Sequence, residues 1–409
     1  MKILFLTQIL PYPPDSGPRV KTWHVLKYLA QRGHKITLLS FLRSEEEPFL
    51  ETVRGICHRV LTVPIKRSQL KDAGFFLRSQ LTRRPFLVER DDSAAMRSLV
   101  REVVTTAPVD AIHADQLTMA QFALPYRNTG RKPALIFDAH NAVWTVVERL
   151  NATLPFYYRL PLVFEADRVK AYEARVVHEF DCTLAVAEPD ARALREALRE
   201  QYPAIPAEAA PITVIPIAVD TGVAHRVQPH PGSFNILTLG TLYYPPNADG
   251  IRWFLMEVFP VIRHALPQAK LTIVGKNPPA DFLHAAKESR GSVVVTDYVP
   301  ELDPYFADAS VMVIPVRAGG GMRVRILEAF ARGMPVVTTT VGLEGIEAEP
   351  GLDVLVADSP EDFAQSTIRL LADGNLQAQL SANGRHLAME KYDWHVVLRQ
   401  LDKVYQSLA

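Results

Sequence analysis

The chain has 409 residues, of which 48% are hydrophobic and 22% are charged, so it is long enough to form two domains with separate cores. Its 45 Lys and Arg residues balance its 45 Asp and Glu residues, which argues against nucleic acid as a partner and restricts any anion site to a local cluster. The two cysteines, Cys57 and Cys182, lie far apart and without metal-ligand spacing, which is typical of a reducing compartment.

The N-terminal half begins with a predicted βαβ unit. The apolar run KILFLTQ predicts a strand buried on both faces, RVKTWHVLKYLAQRG predicts a helix that stops at Gly33, and HKITLLSF predicts the next strand. The apolar start lacks a signal-peptide cleavage site, and no segment reaches the ~20 apolar residues of a membrane span. We therefore expect a cytoplasmic protein.

The same plan returns in the C-terminal half. FNILTLG predicts a strand, a loop and a helix follow it, and AKLTIVG predicts another strand. Two βαβ starts favour an α/β fold with two Rossmann-like domains. We place the N-terminal domain at residues 1–221 and the C-terminal domain at residues 222–391. Residues 392–409 form an amphipathic helix that we expect to pack back on the N-terminal domain.

Residues 317–337, RAGGGMRVRILEAFARGMPVV, join three glycines to an amphipathic helix. The preceding run SVMVIPV predicts a central strand, which delivers the glycines at 319–321 to the sheet edge where ligands of open α/β sheets collect. Free N–H groups at the helix start, with Arg323 and Arg325, suit a phosphate, and Glu328 suits two vicinal hydroxyls such as those of a ribose. The alternative is a tight turn followed by surface charges. The segment has neither the Lys-Ser/Thr of a P-loop nor the GxGxxG fingerprint.

Three segments carry a family resemblance: IPIAVD, GTLYYPPNADGIRWF and YVPELDPYFADASVMVIPVRAGGGMRVRILEAFARGMPVVTTTVGLEG. They resemble the group 1 glycosyltransferases, which form glycosyltransferase family 4, specifically over roughly residues 234–358 and more loosely before them. The resemblance implies a GT-B fold, in which two Rossmann-like domains face a cleft. It implies a nucleotide-sugar donor held mainly by the C-terminal domain and an acceptor held mainly by the N-terminal one. It further implies transfer with retention of anomeric configuration and without a metal or other cofactor.

The resemblance also assigns site residues by position. Glu328 matches the glutamate that holds the donor ribose, Arg325 stands where relatives often carry Lys, and His140 matches a histidine near the transferred sugar. These three form the predicted catalytic set. The predicted donor-binding set contains Gly17, Arg19, Gly240, Val299, Gly319, Gly320, Gly321, Met322 and Arg323.

Two positions depart from the family pattern. Gly320 stands where the family often has the first glutamate of a pair, and the segment GTLYYPPNADG lacks the cations that often follow this strand. Neutralisation of the diphosphate then falls on Arg323, Arg325 and Arg19. Neither the donor sugar nor the base is identified by the sequence.

The acceptor side is less sharply marked. His113, Asp115, Asp138 and Asn141 lie at or near predicted strand ends and are candidates for acceptor contacts; helix capping is the alternative for Asp115. Residues 66–90 interleave Lys and Arg with Phe and Leu. This pattern favours a peripheral contact with the inner face of a membrane or with a lipid-linked acceptor. A solvated basic helix with its Phe residues packed inward is the alternative.

We therefore expect a retaining, metal-independent glycosyltransferase that uses a nucleotide-diphosphate sugar. Its acceptor would be a glycan, a lipid-linked molecule or a small molecule, in cell-surface polysaccharide or glycoconjugate synthesis. One alternative is a nucleotide-sugar epimerase of GT-B-like fold, and the other is a non-catalytic bilobal sugar-binding protein. We expect no metal site, because the adjacent acids Asp91 and Asp92 lie in a charged stretch and do not form an Asp-x-Asp motif.

Overall fold

A computed structural model describes residues 1–127, 133–153, 156–206, 210–227 and 233–408. The chain divides into two compact units, an N-terminal unit of Met1–Ile217 with Val397–Ala409 and a C-terminal unit of Ala218–Val396. The units therefore change after residues 217 and 396, and the boundaries predicted from the sequence lie after residues 221 and 391. Each unit is described by itself below.

The N-terminal unit is built on a sheet that has seven strands in the described residues. They are β1 (Lys2–Thr7), β2 (Lys35–Leu42), β3 (Arg59–Pro64), β4 (Ala111–Asp115), β5 (Ala134–Ala139), β6 (Cys182–Ala185) and β7 (Ile212–Val214). All neighbours are parallel, and their order is β3-β2-β1-β4-β5-β6-β7. The chain order reverses between β1 and β4, and such a switch point opens a crevice at the carboxyl ends of the two strands.

Helices connect these strands and cover the sheet, which is why the central strands read as continuous apolar runs. The residues of β1 are buried except Lys2. The helices of the unit are α1 (Gly17–Gln31), α2 (Leu50–Arg54), α3 (Gln69–Thr82), α4 (Phe86–Arg90), α5 (Ala94–Thr106), α6 (Ala120–Ala123), α7 (Val143–Thr153), α8 (Phe156–Glu179) and α9 (Glu188–Gln201).

In its described part, the C-terminal unit has a six-stranded parallel sheet. The strands are β8 (Asn235–Leu239), β9 (Lys270–Val274), β10 (Val293–Thr296), β11 (Val311–Ile314), β12 (Val336–Thr338) and β13 (Leu355–Val356). Their order is β10-β9-β8-β11-β12-β13, so the switch point lies between β8 and β11.

The helices of the C-terminal unit surround a core rich in aromatic rings; Phe254 and Trp253 pack edge-on against Phe363. They are α10 (Pro245–Trp253), α11 (Phe259–Ala265), α12 (Ala280–Glu288), α13 (Asp303–Asp308), α14 (Val324–Arg332), α15 (Thr340–Leu343), α16 (Pro360–Ala372) and α17 (Gly374–Leu387).

Two helices end the chain. The short α18 (Trp394–Val397) spans the boundary between the units, and α19 (Arg399–Ser407) belongs to the N-terminal unit. Asp402 of α19 accepts hydrogen bonds from the Tyr28 hydroxyl of α1 and from Nε of Arg32, which directly follows this helix, both at 2.9 Å. The end of the chain is therefore fixed to the first helix.

In the described parts of the chain, we find no helix with the length and apolar character needed to cross a bilayer.

Candidate functional site

The three glycines lie in the loop between β11 and α14. Gly319 and Gly321 have φ angles of +106° and +84°, which residues with a side chain rarely adopt. The loop therefore needs glycine for its backbone conformation. It leads from the carboxyl edge of the sheet, beside the switch point, to the N-terminus of α14, which begins at Val324.

Arg323 closes this loop on itself. Its Nη1 donates a hydrogen bond to the Gly320 carbonyl at 2.7 Å, and a Cβ on Gly319 would lie 3.4 Å from its Nη2. Met322, the residue between loop and arginine, is buried and anchors the turn. One cation of the predicted donor-binding set is thus already positioned against the glycine backbone.

Arg325 and Glu328 form an ion pair with each other on the first turns of α14. Arg325 Nη1 lies 2.7 Å from Glu328 Oε2, and both side chains are half-buried. The two groups are the same i, i+3 pair that could be simple surface charge. They differ from an ordinary surface pair in their place next to the glycine loop, at a helix N-terminus, where negative charge is favoured.

Backbone segments approach one another very closely at this sheet edge. A Cβ on Gly275 would lie 1.8 Å from the Gly240 carbonyl oxygen, and one on Gly250 would lie 2.0 Å from the Pro315 carbonyl oxygen. Gly240 therefore sits where β8 and β9 end side by side, and α10 lies directly against the end of β11. Val299, in the loop after β10, is half-buried at the same edge.

A further cation at this edge was not predicted from the sequence. Arg317 precedes the glycine loop and forms a bidentate pair with Asp249 of α10, with N–O distances of 3.0 and 3.1 Å. Its guanidinium also lies 5.6 Å from the centre of the Trp253 ring. In the sequence, the feature that could have pointed to Arg317 is its position two residues before the first glycine.

The second cluster lies at the carboxyl edge of the N-terminal sheet. Thr7 and Asp115 end β1 and β4, and Asp138, the penultimate residue of β5, lies in register with them. The Oδ2 atom of Asp115 accepts hydrogen bonds from the Thr7 and Thr22 hydroxyls, both at 2.9 Å. The other oxygen, Oδ1, lies 2.7 Å from His140 Nε2. Asp115 thus orients the imidazole of His140.

Asp138 is neutralised by a buried lysine that the sequence analysis missed. Lys21 of α1 is 2% exposed and forms an ion pair with the Asp138 Oδ1 atom. Burial by itself would raise the pKa of Asp138, but Lys21 and then His113 outweigh it and hold this pKa below its ordinary range. The sequence does contain an indication of this contact: Lys21 lies on the same face of α1 as the apolar residues Val25 and Tyr28, at the N-terminal end of that face.

His113 connects this cluster to the C-terminal helix. Its Nε2 lies 3.3 Å from Asp138 Oδ2, its Nδ1 lies 2.8 Å from the Tyr405 hydroxyl of α19, and its ring stacks on Phe5. The sequence predicts that His113, Asp115 and Asp138 line the acceptor side. The structure instead buries all three completely, so the two adjacent carboxylates need partners inside the protein.

Within the described part of the chain, these three residues form a group whose ligand atoms lie within 4.8 Å of one another, close enough to hold a metal ion. Each carboxylate already has a charged or hydrogen-bonding partner, however: Lys21 and His113 for Asp138, and His140 with two threonines for Asp115. A cation would have to replace these contacts. The cluster is therefore complete as it stands.

His140 and Asn141 occupy a loop that two further carboxylates hold. Glu173 of α8 accepts hydrogen bonds from the Val143 and Trp144 N–H groups at 2.8 and 2.9 Å, and Asp190 of α9 accepts one from Ala142 at 3.0 Å. Burial, and secondarily Asp190, raises the pKa of Glu173 to about 8, although the two N–H groups act to lower it.

One ring nitrogen of His140 takes no part in these contacts. The side chain is 9% exposed, and its Nδ1 is a buried atom with no hydrogen-bond partner among the described residues. Asn141 is half-buried beside it. His140 and Asn141 belong to the loop after β5, whereas His113, Asp115 and Asp138 are buried within the strands.

The remaining predicted residues lie at the start of α1. Gly17 is the first residue of this helix, at the carboxyl end of β1. Arg19 is paired with Asp15 at 3.0 Å and with Glu46. The charge of Arg19 is therefore largely balanced by two carboxylates, which weakens its case as a neutraliser of a diphosphate.

Two family profiles match the chain. The profile described as Glycosyltransferase Family 4 matches residues 17–223, just over half of the chain, and the one described as Glycosyl transferases group 1 matches residues 233–373. These matches confirm the resemblance read from the sequence motifs.

Among curated proteins, the chain is 22% identical over 414 residues to the Klebsiella pneumoniae "Uncharacterized 44.6 kDa protein in cps region", covering 98% of this chain and 99% of that protein. It is 31% identical over 153 residues to the GDP-mannose-dependent alpha-(1-6)-phosphatidylinositol monomannoside mannosyltransferase of Mycolicibacterium smegmatis. That match covers 34% of this chain and 40% of the mannosyltransferase.

Among solved structures, Anabaena HepE in complex with UDP and glucose has a TM-score of 0.69 at 16% identity, covering 100% of both chains. The sucrose-phosphate synthase of Thermosynechococcus elongatus has a TM-score of 0.69 at 17% identity, covering 100% of this chain and 99% of that one. At such identities the likeness shows the fold, and it confirms the predicted pair of Rossmann-like domains of the GT-B type.

The Glu173 contact predicts a pH dependence of stability. The pKa of Glu173 is about 8 in the folded protein, against an ordinary value of 4.5. Protonated Glu173 therefore contributes fully to the free energy of unfolding below pH 4.5, and this contribution is lost as the pH rises through 8. Each unit of such a shift corresponds to about 1.4 kcal/mol. We expect the melting temperature of the wild type to fall more between pH 6 and pH 9 than that of Glu173→Gln. Glu148→Gln, the same change at an exposed position of α7, should behave like the wild type. Parallel curves for wild type and Glu173→Gln would contradict this account.

The Asp115 contact predicts the tautomer of His140. A carboxylate can only accept, so in the neutral ring Nε2 must carry the proton and Nδ1 must be an acceptor. Nitrogen NMR of histidine-labelled protein, with the signal assigned through His140→Gln, should show a protonated Nε2. Asp115→Ala should abolish this preference. A wild-type Nε2 without its proton would refute the assignment.

Proposed function

Because the chain belongs to glycosyltransferase family 4, whose profile spans just over half of it, we propose that it transfers a sugar from a nucleotide-diphosphate sugar with retention of configuration. The observation that carries the proposal is the glycine loop at the carboxyl edge of the C-terminal sheet, which runs into α14 and its Arg325–Glu328 pair.

Each part of this segment has a role in binding the donor. The glycines admit the diphosphate close to the backbone, where the N-terminus of α14 attracts negative charge. Arg325 binds the diphosphate and Glu328 accepts hydrogen bonds from the ribose diol. Since these two side chains now neutralise each other, the donor exchanges one internal ion pair for two contacts of its own.

The chemical step stabilises a leaving diphosphate. The bond from the anomeric carbon to the phosphate oxygen breaks, the acceptor oxygen forms its bond on the same face, and a phosphate oxygen takes the acceptor proton. Fixed dipoles and arginines aimed at the departing charge supply the stabilisation, so the proposal requires no divalent cation. We assign to His140, oriented by Asp115, the role of accepting a hydrogen bond from a sugar hydroxyl through Nδ1, a buried atom that has no partner among the described residues.

The substrates of similar proteins provide the classes of donor and acceptor that we propose to test. The HepE structures contain UDP and UDP-glucose, and the mycobacterial relative is named for GDP-mannose and a phosphatidylinositol glycolipid. We propose UDP- and GDP-sugars as first donors and a lipid-linked or glycan acceptor in cell-surface glycoconjugate or polysaccharide synthesis. We place the reaction in the cytoplasm, which the two free, buried cysteines support. Residues 66–90 are proposed to touch the membrane surface.

Removal of either member of the α14 pair should weaken nucleotide binding. Titration calorimetry with UDP and GDP should give Kd values about 10- to 100-fold higher for Glu328→Ala and for Arg325→Ala, since a hydrogen bond to a charged group contributes about 1.5–3 kcal/mol. Glu51→Ala and Arg54→Ala remove a comparable i, i+3 pair on α2 and are the matched controls. Unchanged affinity in both α14 variants would refute the donor site.

The reaction itself should proceed without free metal. Given UDP-glucose or GDP-mannose and a lipid-linked acceptor, turnover in EDTA should stay within about twofold of that with Mg²⁺ or Mn²⁺, because protein charges replace a cation's role. NMR of the product should show the anomeric configuration of the donor. Loss of turnover in EDTA, or an inverted product, would overturn the corresponding part of the proposal. An epimerised donor without transfer would favour the epimerase alternative.

A further inference from the structure

Helix α3 presents its apolar side to the solvent. Leu70, Leu77 and Leu81 are 89%, 66% and 86% exposed. At 3.6 residues per turn, positions seven and eleven apart fall within about 20° of one line, so these side chains form a single leucine stripe along the helix. Ser79, on the opposite side of α3, is fully buried. The usual pattern, with leucines toward the core, is reversed.

Polar contacts on its protein-facing side explain this reversal. Arg78 Nε lies 3.0 Å from Glu89 Oε2, and the Thr82 hydroxyl donates to Glu89 Oε1 at 2.8 Å. Arg84, just after the helix, lies 3.2 Å from Glu89 and 3.1 Å from Asp92. The Glu89 and Asp92 side chains are 0% and 2% exposed. Buried carboxylates of α4 and its C-terminal end therefore hold α3 by its charged residues.

The aromatic residues do not cover the leucine stripe. Phe75 is half-buried, and Phe76 packs its ring against Phe86 of α4 with centroids 6.2 Å apart. Phe76 nevertheless remains 42% exposed, so the two Phe residues are only partly covered, and the leucines stay outside. A contiguous exposed apolar row of this kind marks an interaction surface.

Charge decides between possible occupants of the stripe. Residues 66–97 contain eight basic and four acidic residues, a net charge of +4 in a chain whose total is zero. Three of the four acids, Glu89, Asp91 and Asp92, have buried, paired side chains, whereas the basic residues Lys66, Lys71 and Arg83 are exposed around the stripe. Two copies of this positive rim would repel each other, and an anionic surface would attract it.

We propose that the leucine stripe of α3 (Leu70, Leu77, Leu81) inserts into the interface of an anionic lipid bilayer, with Lys66, Lys71 and Arg83 against the lipid headgroups. This stripe would be the surface through which residues 66–90 make the membrane contact named in the proposed function. Membrane binding by the stripe does not depend on sugar transfer, since it involves only α3 and the residues that flank it.

Vesicle flotation of the full-length protein without donor or acceptor tests this proposal. We expect binding to vesicles of equal parts phosphatidylcholine and phosphatidylglycerol, little binding to phosphatidylcholine alone, and weaker binding as salt is added. Leu77→Gln/Leu81→Gln should lower the affinity at least tenfold. The matched control is Leu283→Gln/Leu352→Gln, which changes two exposed leucines of the C-terminal unit and should bind like the wild type.

Circular dichroism should show the same fold for every variant, because all four leucines are exposed. Equal vesicle binding by the wild type and the stripe variant would overturn the proposal, and so would no binding by either. A wild type that sediments as a dimer, a monomeric stripe variant and no vesicle binding would assign the stripe to a second copy. If flotation gives the expected result and no donor is turned over, the transferase proposal fails and the membrane surface stands.

Discussion

In-register pairing of three parallel strands brings two carboxylates together inside the N-terminal unit. The contacts of the side chains around this edge of the sheet depend on that pairing. Asp115 and Asp138 lie at the ends of adjacent strands and are fully buried. An unpaired buried charge costs several kcal/mol, so each needs partners from elsewhere in the chain. Lys21 comes from α1, His113 from β4 and His140 from the loop after β5.

The outcome is a fixed imidazole. Asp115 binds two hydroxyls and His140, while Glu173 and Asp190 bind the N–H groups of the loop that carries this histidine. The C-terminal helix reaches the same network through Tyr405 and His113. For the role that we propose for His140, such support matters because the orientation of the imidazole is set before any substrate binds.

The charged groups of the C-terminal unit differ from this cluster, because they are paired but not fully buried. Arg325 and Glu328 remain half-buried and neutralise each other, and Arg323 rests on the Gly320 carbonyl. Helix α3 shows a third arrangement: Arg78 in the helix and Arg84 just after it bind buried acids, and the leucines are exposed to the solvent. In the N-terminal cluster and at α3, the need of buried carboxylates for partners decides how the neighbouring side chains are placed.

Local patterns along the chain are enough to predict the two Rossmann-like units, since continuous apolar runs alternating with amphipathic helices admit few other packings. They also predict the glycine loop and the spacing of Arg325 and Glu328, because these features are local in the chain. The folded structure was needed to find that Lys21, 117 residues from Asp138, neutralises it, and that His113 and Asp115 are internal supports. It was also needed to find that the leucines of α3 face outward. Long-range contacts leave no periodic signal in the chain, and the balance between burying a charge and burying a leucine depends on which partners the fold brings near.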